Sequence, residues 1–244
     1  MSPLLACLAV ALYTPTHSDA LSELAAKQNI RVEIRNAAFT DQAKGYVISG
    51  GAVSEANMEK YKSLWVREWS RYSKDLLRQA KVDVVIFAEK LSVDGQIRAA
   101  VPAFDLQAMY YDPELGSKYP DYQRSVIHHE FFHTLDERMG RLKRDPEWTA
   151  LNTPGFKYGD GGEKMRTNGV GNLSDKFPGF LTQYGTASLA EDKAELYAHL
   201  LVDPSEVASR SKTDPVLAKK VDLLKKRLQE YSSNFSPDFW SSSK

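Results

Sequence analysis

The chain has 244 residues, 42% hydrophobic and 26% charged, enough to bury a full core and ordinary for a globular protein. Its 32 Lys and Arg balance its 32 Asp and Glu, so no net positive field gathers phosphates, and nucleic acid is not an expected partner. The one apolar run that suggests a membrane, residues 4–12, is well short of the roughly 20 residues that a spanning helix needs, so no integral membrane segment is expected.

Residues 1–20 read as a leader: the apolar run is followed by Ser18-Asp19-Ala20, with small residues at alternate positions as at a signal-peptidase site. No Lys or Arg precedes Lys27, where an export signal normally begins with basic residues. A secreted or periplasmic location is the expectation, and a cytoplasmic one the alternative. Cys7 is the only cysteine, which excludes a disulfide within the chain and a cysteine-built metal site. Leu4-Leu5-Ala6-Cys7 loosely resembles a bacterial lipoprotein box, although an incidental leader cysteine is the preferred reading. Residues 21–244 are expected to form one domain.

Apolar and charged residues alternate over 30–34, the period of a half-buried strand, and a second short strand is predicted over 46–48. Residues 54–80 lack Gly and Pro, open on a capping serine, and repeat apolar side chains at Met58, Tyr61, Trp65, Trp69, Tyr72 and Leu76, which predicts one long amphipathic helix. Three further strands are predicted over 82–88, 97–101 and 106–111, making a small sheet. Helical patterns follow over 122–138, 191–201 and 204–231. Strands first and helices afterwards define an α+β domain. Between the first and second of these helical blocks, residues 155–179 hold seven of the fourteen glycines and little apolar periodicity, so they read as a long loop, either a flap over substrate or a surface excursion.

Within the helix predicted over 122–138, His129-Glu130-Phe131-Phe132-His133 spells His-Glu-x-x-His, and three of the five histidines fall here. Residues four apart share a helical face, so His129 and His133 can aim two imidazoles at one tetrahedral zinc. Glu130 lies beside the metal, placed to take a proton from the activated water as general base. Val126, Ile127, Phe131, Phe132 and Leu135 would bury most of this helix, and buried His and Glu are costly unless paired or metal-bound, which argues against a chance match on a surface helix. His128 points about 100° away and is read as a packed or surface histidine.

Two histidines leave zinc in need of a third protein ligand and an open position for water. No histidine follows His133 until His199, so a carboxylate on a second helix is the best supply, and Glu191-Asp192-Lys193-Ala194-Glu195 offers it. Glu191 and Glu195 stand one turn apart, and either could be the ligand. Tyr184-Gly185 followed by Glu191 and then Ala194-Glu195 resembles the second motif of lethal-factor-like gluzincin peptidases, and His129-Glu130-Phe131-Phe132-His133 with Asp136 resembles the first. The resemblance covers residues 125–201, about a third of the chain.

That resemblance implies a zincin-like catalytic domain holding one Zn2+ per chain through His129, His133 and Glu191. It also implies Glu130 as base and Tyr184 as hydroxyl donor to the oxyanion, acting on a polypeptide substrate. Glu195 then suits an outer position, accepting a ring N–H from His129 or His133. Asp136 and Asp192 could do the same or be solvated or capping carboxylates. His199, one turn from Glu195, is expected to pair with it. The rival readings are a zinc-binding module without proteolysis and a helical structural protein in which the motif is accidental.

Overall fold

The computed structural model describes residues 19–159 and 177–241. The expected leader and Cys7 lie outside them apart from residues 19 and 20, as does the predicted long loop apart from its two ends. The elements run α1 (Ala20–Gln28), β1 (Arg31–Ile34), β2 (Phe39–Ala43), β3 (Tyr46–Gly51), α2 (Glu55–Trp69), α3 (Lys74–Ala80), β4 (Val84–Phe87), β5 (Glu89–Val93), β6 (Gln96–Ile97), β7 (Ala100–Ala103) and β8 (Ala108–Tyr111). Helices α4 (Pro113–Lys118), α5 (Pro120–Arg138), α6 (Pro146–Thr149), a 3-10 turn at Tyr184–Thr186, α7 (Leu189–Val202), α8 (Pro204–Ser211), α9 (Pro215–Tyr231) and α10 (Pro237–Ser241) complete the order. The fold is α+β, as expected, with two four-stranded sheets where one was predicted.

The first sheet has the order β1-β4-β8-β7; β1, β4 and β8 are parallel, and β7 runs antiparallel along β8 as the outermost strand. Its central strands are buried on both faces, which is why they read as continuous apolar runs. Val85, Phe87, Met109 and Tyr111 point into the main core against Trp65, Trp69 and Phe131, and Val84, Ile86, Ala108 and Tyr110 point into a smaller core with Ile48 and Leu91. That smaller core lies under the second sheet, order β2-β3-β5-β6, which is antiparallel throughout.

Three expectations are corrected. The predicted helix over 54–80 is two helices, because Ser70 Oγ donates to the Arg67 carbonyl at 2.8 Å and Ser73 Oγ accepts from Leu76 N at 3.1 Å, ending one helix and capping the next. The turn also exposes the carbonyls of Trp69 and Tyr72 to Gln28 Nε2, at 3.2 and 2.6 Å. The pattern over 204–231 is likewise two helices: Pro215 has no N–H to continue the first, and Asp214 accepts from Val216 N and Leu217 N to start the second. Strands β2 and β5 went unpredicted, although the Asp94-Gly95 turn, with both φ positive at 49° and 80°, is a strong hairpin signal.

Candidate metal centre

Helix α5 starts at Pro120, whose missing N–H costs nothing in the first turn, and buries Ile127, Phe131, Phe132 and Leu135 completely. Packing that apolar face against the first sheet turns His129 and His133 toward α7. Helix α7 is entered from the turn at Tyr184–Thr186, and Ser188 caps it by accepting from Glu191 N at 3.2 Å. The cap puts Glu191 in the first turn, with Glu195 one turn further on the same face.

Three donor atoms converge between the helices. His129 Nε2 lies 3.1 Å from His133 Nε2 and 2.8 Å from Glu191 Oε2, and His133 Nε2 lies 3.4 Å from that same oxygen. Ligands about 2.0–2.1 Å from a tetrahedral zinc stand about 3.3–3.4 Å from one another, so the triangle is close to the size a zinc site requires. The chemistry of the donor set agrees. On the far side of the His129 ring, Nδ1 meets Glu195 Oε1 at 2.8 Å, and since a carboxylate can only accept, Nδ1 carries the hydrogen. Nε2 faces Glu191 Oε2 at 2.8 Å and by the same argument donates a hydrogen there; a metal between these donors would take that hydrogen's place, with Nδ1–H still on Glu195 and the ring in the tautomer in which histidine ligates.

Both histidines are nearly buried, at 6% and 9% exposure, so the cluster's charges are felt at full strength. Burial by itself would raise the Glu191 carboxyl, but hydrogen bonds with His129 and His133 outweigh it and hold the group well below the usual carboxylate range. Burial likewise works against charge on His129, and its bonds to Glu191 and Glu195 reverse that, lifting the imidazole well above its ordinary value. Glu191 is therefore the anionic member of the group.

Glu195 is held in turn. Its Oε2 accepts from Thr182 Oγ1 at 2.6 Å, and that hydroxyl accepts from Gly185 N at 3.1 Å, which ties the His129 partner to the turn carrying Tyr184. Thr182 was not singled out from the sequence; its position three residues ahead of Gly185 is the pattern of a side-chain-capped turn. The Tyr184 ring lies 6.0 Å from the His129 ring, centre to centre. Together with Glu130 it lines a cleft with one half of about 470 Å³ and another of about 560 Å³.

The remaining candidates sit elsewhere. Asp136 forms a buried ion pair with Lys193 Nζ at 2.6 Å, while His133 Nδ1 has no hydrogen-bond partner among the described residues. Asp192 accepts from Trp148 Nε1, Tyr158 Oη and Lys220 Nζ at 2.6–2.8 Å, an internal anchor facing away from Glu191. His199 Nδ1 donates to the backbone carbonyl of Glu195 at 2.8 Å, so it pairs with that residue's main chain and not its carboxylate. His128 is fully buried, as the packed reading expected. Among the described residues no helix is long and apolar enough to cross a membrane.

The fold has a counterpart among solved structures, and His129, His133 and Glu191 form a group that could hold a metal ion. A solved structure from Bacteroides caccae, a candidate zinc-binding metallo-peptidase, superposes with a TM-score of 0.54 at 16% identity, covering 86% of this chain and 83% of that one. At that identity the likeness concerns the fold. No protein-family model matches the sequence, and neither does any curated protein.

Proposed function

We propose that this chain is a zinc-dependent metallopeptidase of the gluzincin type, with His129, His133 and Glu191 as ligands, and that its likeness to lethal-factor-like peptidases extends to their chemistry. The observation that carries the reading is the convergence of His129 Nε2, His133 Nε2 and Glu191 Oε2 beside Glu130 and Tyr184 in one cleft. Zinc held there supplies Lewis acidity, making a water acidic enough to attack at neutral pH and polarising a carbonyl.

The residues of the chain do the rest. Glu130 takes the proton of the attacking water and delivers it to the departing amine. Tyr184 donates its hydroxyl hydrogen to the oxygen on which negative charge develops. Glu195, steadied by Thr182, keeps His129 in the ligating tautomer. A polypeptide substrate fits the open, two-sided cleft, and the expected secreted or periplasmic location suits such an activity.

The test sets purified wild type beside Glu130→Gln, measuring zinc by mass spectrometry and hydrolysis of casein and mixed peptides. One zinc per chain in both, with hydrolysis reduced about 10²–10⁴-fold in the variant, is the expected outcome. Equal zinc with no hydrolysis in either would favour a zinc-binding module without proteolysis; a chain that takes up no zinc would overturn the metal centre itself.

A further inference from the structure

Helix α7 carries a third residue in line with Glu191 and Glu195. From Glu191 to Leu200 every side chain is buried except Glu191, Glu195 and His199, each one turn beyond the last, so this part of the helix opens along a single stripe. Helix α5 runs antiparallel to that stripe: His133 and His129 meet Glu191, and His129 meets Glu195 in turn. Continued by one turn, the same ladder brings Ser125 of α5 to the level of His199. Both line the half of the cleft of about 560 Å³, together with Glu130 and Tyr184.

The peptidase reading gives this rung no work, yet its chemistry is defined. His199 Nδ1 carries a hydrogen, which it donates to the Glu195 carbonyl at 2.8 Å, so Nε2 of the neutral ring is an acceptor. Among the described residues Nε2 has no hydrogen-bond partner, and neither has Ser125 Oγ. His199 and Ser125 are half-buried at the cleft wall, so an acceptor and a hydroxyl are open to whatever lies in the cleft. The ring is already held, by its bond to the main chain of the residue that supports His129. His199 stands two turns past Glu191, about 12 Å along the helix axis, a length that an extended chain covers in three to four residues.

We propose that His199 and Ser125 form a subsite for the substrate main chain, in which His199 Nε2 accepts a backbone N–H and Ser125 Oγ donates to a backbone carbonyl three to four residues from the scissile bond. The inference rests on the peptidase reading above. Main-chain groups are carried by every residue, so the subsite favours an extended polypeptide over a short peptide without selecting a sequence. Each such bond replaces bonds to water and is worth about threefold to tenfold in binding.

The experiment takes labelled casein-derived peptides, shortened residue by residue from either end and N-methylated at each backbone position in turn. Binding is followed by fluorescence anisotropy on zinc-loaded Glu130→Gln, and kcat/KM on the chain with Glu130 intact, each with and without His199→Ala. Removing or N-methylating the third or fourth residue on one side of the cleaved bond should weaken binding and lower kcat/KM about threefold to tenfold. His199→Ala should show a loss of that size on the full peptide and should no longer feel the N-methyl group at that position. His199→Gln, whose amide oxygen also accepts, should keep part of the N-methyl penalty, and Ser125→Ala should keep it while binding the full peptide about threefold more weakly. No penalty at either position in the chain with His199 intact would overturn the proposal before any variant of that residue is made. An N-methyl profile unmoved in His199→Ala would also overturn it, since a merely structural histidine lowers all peptides alike, and cleavage would leave the peptidase reading intact. The expected binding pattern with no cleavage would support the subsite and remove the peptidase reading.

Discussion

His128 and His129 are consecutive residues of α5, yet they face two unrelated environments. His128 accepts from the Tyr72 hydroxyl at 2.6 Å through Nδ1 and donates Nε2–H to Glu68 at 3.1 Å, sealed in the core. Burial lowers its imidazole below the ordinary value despite the carboxylate beside it, so it stays neutral. His129, about 100° around the helix, meets two carboxylates and a second histidine at the wall of an open cleft. One side of α5 satisfies its polar groups within the fold, whereas the other gathers lone pairs and negative charge around a point. A histidine's function is therefore assigned by what the opposite element brings to it.

Several measurements can break or sharpen that contrast. The largest effect is expected from His129→Ala, which should take zinc from one per chain to nearly none, while His128→Gln keeps the zinc and lowers unfolding stability by about 1–3 kcal/mol. Elemental analysis with urea unfolding checks both, and zinc lost equally from the two variants would erase the distinction between the faces. Next, Tyr184→Phe should lower kcat about 10²–10³-fold with zinc retained, the signature of a donor that acts on the developing charge. Glu195→Gln should weaken zinc about 10–100-fold in competition with a chelator, and an unaltered affinity would show that Glu195 does not orient His129.

The remaining effect is read in acid and lies on the buried face. Burial would raise the Glu68 carboxyl, but its bond with His128 and the Arg124 guanidinium at 3.0 Å hold it at about 2 against an ordinary 4.5. The folded state then binds fewer protons than the unfolded state between those values. Stabilisation of roughly 3 kcal/mol is complete above about pH 4.5 and is lost as pH falls toward 2. Urea midpoints followed from pH 6 to pH 3 should fall steeply for wild type and more gently for Glu68→Gln; parallel curves would mean that Glu68 does not carry the acid sensitivity.

Legibility varied along the chain for physical reasons. His129, Glu130 and His133 could be read because their relation is local, one turn of a helix whose apolar residues announce it. Strands β4 and β8 could be read because burial on both faces leaves an unbroken apolar record, whereas β2 and β5 mix polar and apolar side chains in short, half-covered strands. Helix ends were under-read. Asp112-Pro113, Asp145-Pro146, Asp203-Pro204 and Asp214-Pro215 each begin a helix, the Asp accepting from backbone N–H groups that the first turn leaves unbonded. The break inside residues 204–231 was thus written in the chain at Asp214-Pro215.

The choice between Glu191 and Glu195 shows where sequence stops. Helical spacing puts both on one face, which is as far as periodicity reaches, because it knows nothing of the element opposite. Packing α7 against α5 across some sixty residues of chain brings Glu191 to the Nε2 side of His129 and Glu195 to the Nδ1 side, and the two nitrogens of one ring give the carboxylates different work. The pairing of Lys193 with Asp136 and the bond from Thr182 to Glu195 arise in the same way. Residue identity and local spacing were enough for the donor types and the helix that presents two of them; burial, which makes each polar atom find a partner, decided the rest only once the helices had met.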